Sequence, residues 1–189
     1  MVLSKPLRNA FISYLSNLYE NPIRTKAITC AVLSTTGNLV SQLISGNKSI
    51  NQQSLLAYGL YGLIFGGTIP HFYYKFLEHL VPEEASLIFI KKLVIDRLLF
   101  TPLYQAFSLY MLARLEHKTH DEALAQLFKL YWPILSSSWK YLTILQLINI
   151  TVVPPMLRVL TMNLVGFFWV IYVANVRREA QQKKGNKSD

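Results

Sequence analysis

Long apolar stretches, each separated from the next by charged or turn-forming residues, run along most of the chain. Four of them are candidates to cross a membrane, because a bilayer core of about 30 Å needs a helix of about 20 mostly apolar residues. They lie at residues 27–47, 55–76, 93–113 and 158–176. Turn-formers or charges separate them, at Gly46-Asn47-Lys48, Pro82-Glu83-Glu84 and residues 116–122. The pattern predicts one all-α domain over residues 1–189, an integral membrane bundle with four transmembrane helices.

Two further segments have helical spacing but a different character. Residues 3–20 carry apolar side chains on one face of a 3.6-residue period, at Leu7, Phe11, Tyr14, Leu15 and Leu18. This amphipathic helix is expected either in the membrane interface or packed on the bundle. Residues 141–157 are uncharged, but Pro154-Pro155 interrupts their end. They are predicted to form a partly embedded, buried or interfacial helix, and hydropathy leaves five crossings open.

The composition excludes several classes of protein. Hydrophobic residues make up 52% of the chain and charged residues 15%, against roughly 25% charged residues in an average soluble domain. Disordered chains are poor in apolar residues, so disorder is excluded. Cys30 is the only cysteine, which excludes an intrachain disulfide framework and a zinc site built on thiolates.

The charge of the chain is unevenly distributed. A net charge of +9 would suggest a nucleic-acid partner in a soluble protein. Here the basic residues flank the apolar segments, among them Lys5, Arg8, Arg24, Lys26, Arg177 and Arg178. This pattern is typical of membrane anchoring, so we expect the lipid bilayer and no nucleic acid as a partner. Residues 180–189 form a polar tail, and with four crossings the positive-inside rule predicts cytosolic termini.

Polar residues recur inside the apolar segments. They include Asn38 and Gln42 in the first, Arg97, Thr101, Gln105 and Ser108 in the third, Gln146 and Asn149 in residues 141–157, and Arg158 at the start of the last. Because lipid cannot satisfy polar groups, these side chains are expected to turn inward. They then either form hydrogen bonds between helices or line a hydrated path for polar solutes.

Charged groups are costly at membrane depth, at least about 2.5 to 3.5 kcal/mol each. Asp96, Arg97 and Arg158 are therefore candidates for a functional or network-forming role. Lys92 lies one helical turn before Asp96, a spacing that suits an ion pair.

The second apolar segment has small residues on one face. Gly59, Gly62 and Gly66 recur there, and the last two form a G-x-x-x-G motif. In membranes this motif lets two helices approach closely. It predicts packing within the bundle, with a subunit contact as the alternative.

Enzymatic motifs are absent from the sequence. It contains no H-E-x-x-H, nucleophile elbow, phosphate-binding loop or dinucleotide fingerprint. His117 and His120 could touch one metal, but no carboxylate or thiolate shell accompanies them. We therefore predict no enzyme, no catalytic residues, no cofactor and no metal.

Taken in order, these residues resemble the Mpv-seventeen and twenty-two-kilodalton peroxisomal membrane protein family. The resemblance begins at Tyr14-Leu15 and continues through the second and third segments, with Gly37-Asn38, His71, Glu78-His79, Asp96-Arg97 and Leu115-Glu116. It ends with Trp132-Pro133, Trp139, Gln146, Asn149, Pro154, Arg158, Trp169 and Tyr172. Gly37-Asn38 and Asp96-Arg97 are closer to the peroxisomal members, since mitochondrial members tend to have Gly-Asp and Asp-Gln there.

The resemblance implies a four-span protein of an organelle membrane. Peroxisomal members form water-filled channels for small hydrophilic metabolites, and a peroxisomal membrane-protein import receptor recognises them before insertion. The leading hypothesis is such a channel. The oligomeric state is open, with a homo-oligomer as one form, and the path lies either within one subunit or between several. Asn38, Gln42, Gln105, Gln146 and Asn149 would line it, and Asp96, Arg97 and Arg158 would set its field.

Two alternatives stay open at this point. An N-terminus with arginine and no acid before Glu20 favours a mitochondrial inner-membrane relative with a role in metabolite homeostasis. A non-conducting membrane scaffold is the other alternative, in which the polar residues only hold the helices together.

Overall fold

The computed structural model describes residues 5–44, 49–81, 87–152 and 158–185, and this part of the chain is almost entirely helical. The helices are α1 (Lys5–Glu20), α2 (Pro22–Ile44), α3 (Gln52–Tyr61), α4 (Thr68–Leu80), α5 (Ile88–Ile95), α6 (Thr101–Leu115), α7 (His120–Ser137), α8 (Thr143–Thr151) and α9 (Arg158–Gly185). Wider π-helical turns join three pairs of them, at Gly62–Gly66, Asp96–Phe100 and Ser138–Leu142. The all-α membrane bundle predicted from the sequence is confirmed.

Within the described residues, these helices form five long rods: α2, α3–α4, α5–α6, α7–α8 and α9. Consecutive rods run antiparallel. Two contacting pairs give the direction at each junction. They are Asn38–Ser54 and Lys26–His71 for the first junction, Tyr61–Ser108 and Tyr73–Phe100 for the second, Arg97–Gln146 and Tyr110–His120 for the third, and Ser137–Tyr172 and Lys129–Ala180 for the fourth. The last rod, α9, runs parallel to α2, because Gly37 packs on Val170 and Ser41 bonds to Asn175.

Polar and apolar residues are distributed in the bundle as a membrane requires. Large apolar side chains are exposed on its outside, for example Val32, Leu103 and Phe168. Asn38, Gln42, Asp96 and Arg177 are buried inside, together with Ser34, Ser41 and Ser138. Exposed apolar surface on this scale marks contact with lipid or protein rather than water. These described polar residues of the apolar segments turn inward, as polar groups must in lipid.

The number of membrane crossings is a separate matter. Two helices of the described chain, Pro22–Ile44 and Gln52–Leu77, are long and apolar enough by length and composition to cross a bilayer. The four crossings predicted from the sequence remain a prediction. The segment predicted at 141–157 continues a longer rod that begins at His120, and residues 153–157 lie outside the described residues.

The rod directions give an expected result for membrane topology. Four crossings would place Arg24 and Glu179 on the same side, whereas five alternating rods place them at opposite ends of the bundle. In a Cys30→Ala background, we expect single cysteines at these two exposed positions to react with an impermeant maleimide from opposite sides of the membrane. His79→Cys and Gln52→Cys are the matched controls. His79→Cys should react from the same side as Arg24→Cys, and Gln52→Cys from the same side as Glu179→Cys. Labelling of Arg24→Cys and Glu179→Cys from one side would contradict a fifth crossing.

The glycines of α3 and its π-helical turn bring this rod onto the backbone of α2. A Cβ atom at Gly62 would lie 2.6 Å from the carbonyl oxygen of Cys30 and 2.7 Å from the backbone of Ala31. At Gly59 it would lie 2.9 Å from the Thr35 hydroxyl, and at Gly66 it would lie 3.3 Å from the Cys30 Cβ. The absence of a side chain at position 62 therefore allows the two backbones to approach this closely.

Candidate functional site

The inward polar residues of the first rod belong to a hydrogen-bonded chain at one end of the bundle. Asn38 and Gln42 are one turn apart on α2, so both face the same neighbours. The Gln42 amide donates to Asn38 Oδ1 at 2.7 Å, and the Asn38 amide donates to the Ser54 hydroxyl at 3.2 Å. Gln42 also pairs with the backbone of Asn51, through bonds of 2.6 and 3.1 Å. These side chains tie the end of α2 to the start of α3.

An ion pair between Glu116 and Arg177 extends this chain to two more rods. The guanidinium of Arg177 donates to both carboxylate oxygens of Glu116, at 3.0 and 3.2 Å. It also donates to the Tyr58 hydroxyl at 3.1 Å, and Arg177 is only 2% exposed. Ser54 donates to the same carboxylate at 3.1 Å. A bidentate pair of this kind is strong and fixes the geometry of both partners.

The Glu116 carboxylate has a second cationic neighbour in the turn after α6. The ammonium of Lys118 lies 3.2 Å from Glu116 Oε2. Burial lowers the pKa of Lys118, and the Glu116 carboxylate opposes part of that shift. We call Asn38, Gln42, Ser54, Tyr58, Glu116, Lys118 and Arg177 the Glu116 cluster. A partly open pocket with about 10 Å³ of internal space lies against it, lined partly by Asn38, Tyr58 and Arg177.

A second polar group lies toward the other end of the bundle, at the π-helical turn Asp96–Phe100. Asp96 is 5% exposed, its carboxylate lies 3.6 Å from Arg97 Nε, and it accepts from the Tyr74 hydroxyl at 3.2 Å. Arg97 donates to the side-chain oxygen of Gln146 on α8. The Trp139 indole donates to the carbonyl oxygen of Arg97 at 2.8 Å, which ties this turn to the one at Ser138–Leu142. We call Tyr74, Asp96, Arg97, Thr101, Trp139 and Gln146 the Asp96 cluster.

The structure therefore divides the residues predicted to line a path into two groups. Asn38 and Gln42 are in the Glu116 cluster, and Asp96, Arg97 and Gln146 are in the Asp96 cluster. Gln105 is half-buried on α6 between them. The side chains of Asn149 and Arg158 lie outside the described residues. Asp96 and Glu116 are separated along α5–α6 by about 30 Å at 1.5 Å per residue, which is about the thickness of a bilayer core.

Two interactions differ from those that the residue spacing suggests. Within the described residues, the ion pair of Asp96 is with the adjacent Arg97 rather than with Lys92. The charge pattern predicts Arg177 as an anchor at the end of the last apolar segment, but it is buried and paired. The available signal is the opposite charge of Glu116 and Arg177. Glu116 is the first acidic residue after the third apolar segment, and Arg177 is the first charged residue after the last one. Their sequence separation gives no reason to pair them.

Comparison with known proteins identifies the family. The model of the Mpv17 / PMP22 family matches residues 113–174, which include Glu116, Trp139 and Gln146. Peroxisomal membrane protein 2 of Bos taurus is 35% identical over 89% of this chain and 90% of its own length. Peroxisomal membrane protein PMP22 of Arabidopsis thaliana is 30% identical, with 90% of both chains covered.

A third relative comes from a different organelle. The mitochondrial inner membrane protein Mpv17 of Caenorhabditis elegans is 26% identical over 86% of this chain and 90% of its own length. No solved structure matches. The family suggested by the residues is thus confirmed, and the chain belongs to the Mpv17 / PMP22 family of peroxisomal and mitochondrial inner membrane proteins.

Proposed function

We propose that this chain forms a channel in the peroxisomal membrane that passes small water-soluble metabolites with little selectivity. The observation that carries the proposal is the Asp96 cluster, in which a carboxylate and a guanidinium face inward in a bundle whose outside is apolar. Ionisable residues in membrane helices are rare, and they typically line substrate or ion pathways. A bundle that served only as an anchor would need no such charges.

In the proposed path, amide side chains form the lining and charged side chains set the electrostatic field. The lining residues are Asn38, Gln42, Gln105, Gln146 and Asn149, and the charges are Asp96, Arg97 and Arg158. Since the described polar residues form two clusters, each would act at one end of the path. The path runs either within one bundle or between copies in a homo-oligomer. The names of the bovine and plant relatives support a peroxisomal location, with an import receptor for peroxisomal membrane proteins as a further partner.

Charge neutralisation in the Asp96 cluster tests the proposal, because the two partners should act in opposite directions. In planar bilayers, Asp96→Asn is expected to raise the preference for anions, and Arg97→Gln the preference for cations. The expected change in permeability ratio is about fivefold, because unit charges about 4 Å apart interact by about 1 kcal/mol in water. Reversal potentials measured under a salt gradient give both directions.

Lys140→Gln is the matched control, since Lys140 carries a charge toward the same end of the bundle but is exposed. Its reversal potential should equal that of the unchanged protein. Equal reversal potentials in all the variants would remove Asp96 and Arg97 from the path. A bilayer that stays tight with folded, inserted protein would contradict the channel itself.

A non-conducting scaffold is the second candidate, and one observation favours it. The amides of Asn38 and Gln42 are hydrogen-bonded to Ser54 and Asn51, and the pocket beside Asn38 has only about 10 Å³ of internal space. A scaffold predicts that Gln42→Leu lowers stability while liposomes containing the unchanged protein retain all solutes.

A mitochondrial inner-membrane location is the alternative for the organelle, and the nematode relative supports it. Expression of the fluorescently tagged chain beside peroxisomal and mitochondrial markers separates the two locations.

A further inference from the structure

The Glu116 cluster lies where four rods meet at one end of the bundle. It takes Asn38 and Gln42 from α2, Ser54 and Tyr58 from α3, Glu116 from the end of α6, and Arg177 from α9. The Glu116 carboxylate accepts from Ser54 on α3 and from Arg177 on α9. One acidic side chain at the end of α6 therefore joins this rod to two others.

We propose that Glu116 and Arg177 form the closed gate of the solute path within one bundle, an inference that rests on the proposed channel function. The pocket beside the pair is partly open and has about 10 Å³ of internal space, which is room for about one water molecule. Even a small sugar or organic acid is many times larger. With the pair intact, no metabolite therefore passes through this pocket.

The chemistry of the pair suits a gate with two states. In the closed state, Arg177 and Glu116 exchange their hydration for two direct hydrogen bonds between them and one that Arg177 donates to the Tyr58 hydroxyl. The Arg177 Nε group is buried and has no hydrogen-bond partner among the described residues. In an open state, water would satisfy this group and both charges. Closed and open arrangements thus differ by the exchange of protein contacts for hydration, which is a modest difference between large terms.

The contacts also couple the gate to the rods around it. Gln53 donates to the backbone oxygen of Glu116 at 2.8 Å, and Ser54 donates to its carboxylate at 3.1 Å. Arg178, next to Arg177, donates to the Ser41 carbonyl oxygen at 2.9 Å. Movement of α9 away from α3 would therefore separate the charged pair and break contacts to α2 at the same time.

The test is Glu116→Gln in liposomes and planar bilayers, with the unchanged protein beside it. Loss of the negative charge leaves Arg177 without its partner in the closed state, which favours the hydrated, open state. The rate of leak of a small labelled sugar should rise about tenfold, equivalent to about 1.4 kcal/mol in the balance of open and closed states. Glu122→Gln is the matched control, because it removes the same charge nearby while Gln preserves the capping box of α7. Its leak rate should not change.

The outcomes separate the gate from the channel. If the unchanged protein conducts and folded Glu116→Gln conducts equally, the gate is overturned and the channel stands. If neither passes solute, the proposed function fails as well. If Glu116→Gln does not fold, Glu116→Asp replaces it, because it keeps the charge and withdraws the carboxylate by one methylene group. A smaller rise in leak supports the gate, and a leak equal to that of the unchanged protein overturns it.

Discussion

Replacement of Arg177 by methionine is expected to lower the free energy of unfolding by about 3–5 kcal/mol. Methionine retains much of the apolar stem of Arg177 but removes the guanidinium that pairs with Glu116 and Tyr58. Without Arg177, the Glu116 carboxylate keeps only the more exposed Lys118 as a cationic partner, and removal of one partner of a buried ion pair costs about this much. Unfolding of the purified protein in detergent micelles, followed by circular dichroism against denaturant, measures the difference.

Two further variants make this result specific to the pair. Arg114→Met removes an exposed guanidinium that donates to the Lys118 carbonyl oxygen, and it should cost less than about 1 kcal/mol. The double variant Glu116→Leu with Arg177→Met should be more stable than Arg177→Met alone, since apolar groups then replace both members of the buried pair. Equal losses for Arg177→Met and Arg114→Met would contradict the importance of the buried pair.

Replacement of Gly62 by alanine is expected to cost about 1–3 kcal/mol, the usual range for overpacking a close contact. The new methyl group would lie 2.6 Å from the Cys30 carbonyl oxygen and 2.7 Å from Ala31 backbone atoms. Because these are backbone atoms, α2 and α3 would have to move apart. The same unfolding experiment measures the loss.

Gly166→Ala is the control for this prediction. A Cβ atom at Gly166 meets nothing within 4 Å, and alanine is the better helix former by about 0.8–1.0 kcal/mol. Gly166→Ala should therefore be neutral or stabilising. An equal free energy of unfolding for Gly62→Ala and Gly166→Ala would show that α2 and α3 are not in close contact.

The sequence is most informative where a helix runs without interruption. Asn38 and Gln42 lie on one uninterrupted helix, so their 3.6-residue spacing identifies two neighbouring buried groups. The rod from His120 to Thr151 is not recognisable as one element, because Lys129, Pro133 and Lys140 break its apolar pattern. A proline and two lysines lower the hydropathy of a segment without preventing a helix that packs in the bundle.

The π-helical turn at Asp96–Phe100 explains why the third apolar segment is harder to interpret. Arg97, Thr101, Gln105 and Ser108 have the spacing of one stripe on a regular helix. A π-helical turn contains an extra residue, which rotates α6 about the rod axis relative to α5. Arg97 consequently contacts Gln146 on α8, whereas Ser108 contacts Tyr61 on α3. The Arg177–Glu116 pair cannot be predicted from the sequence for a different reason, since only the packing of α9 brings the two residues together.

The exposed apolar face of α2 has a consequence for the membranes this protein can inhabit. Exposed apolar side chains follow this helix from Ile23 to Ile44, a length of about 30 Å at 1.5 Å per residue. A bilayer with a markedly thicker or thinner hydrocarbon core would either cover polar groups beyond this face or leave apolar side chains in water, at a cost of fractions of a kcal/mol per Å. Hydrophobic mismatch therefore favours bilayers near 30 Å and would contribute to the sorting of this protein among organelles, independently of any receptor.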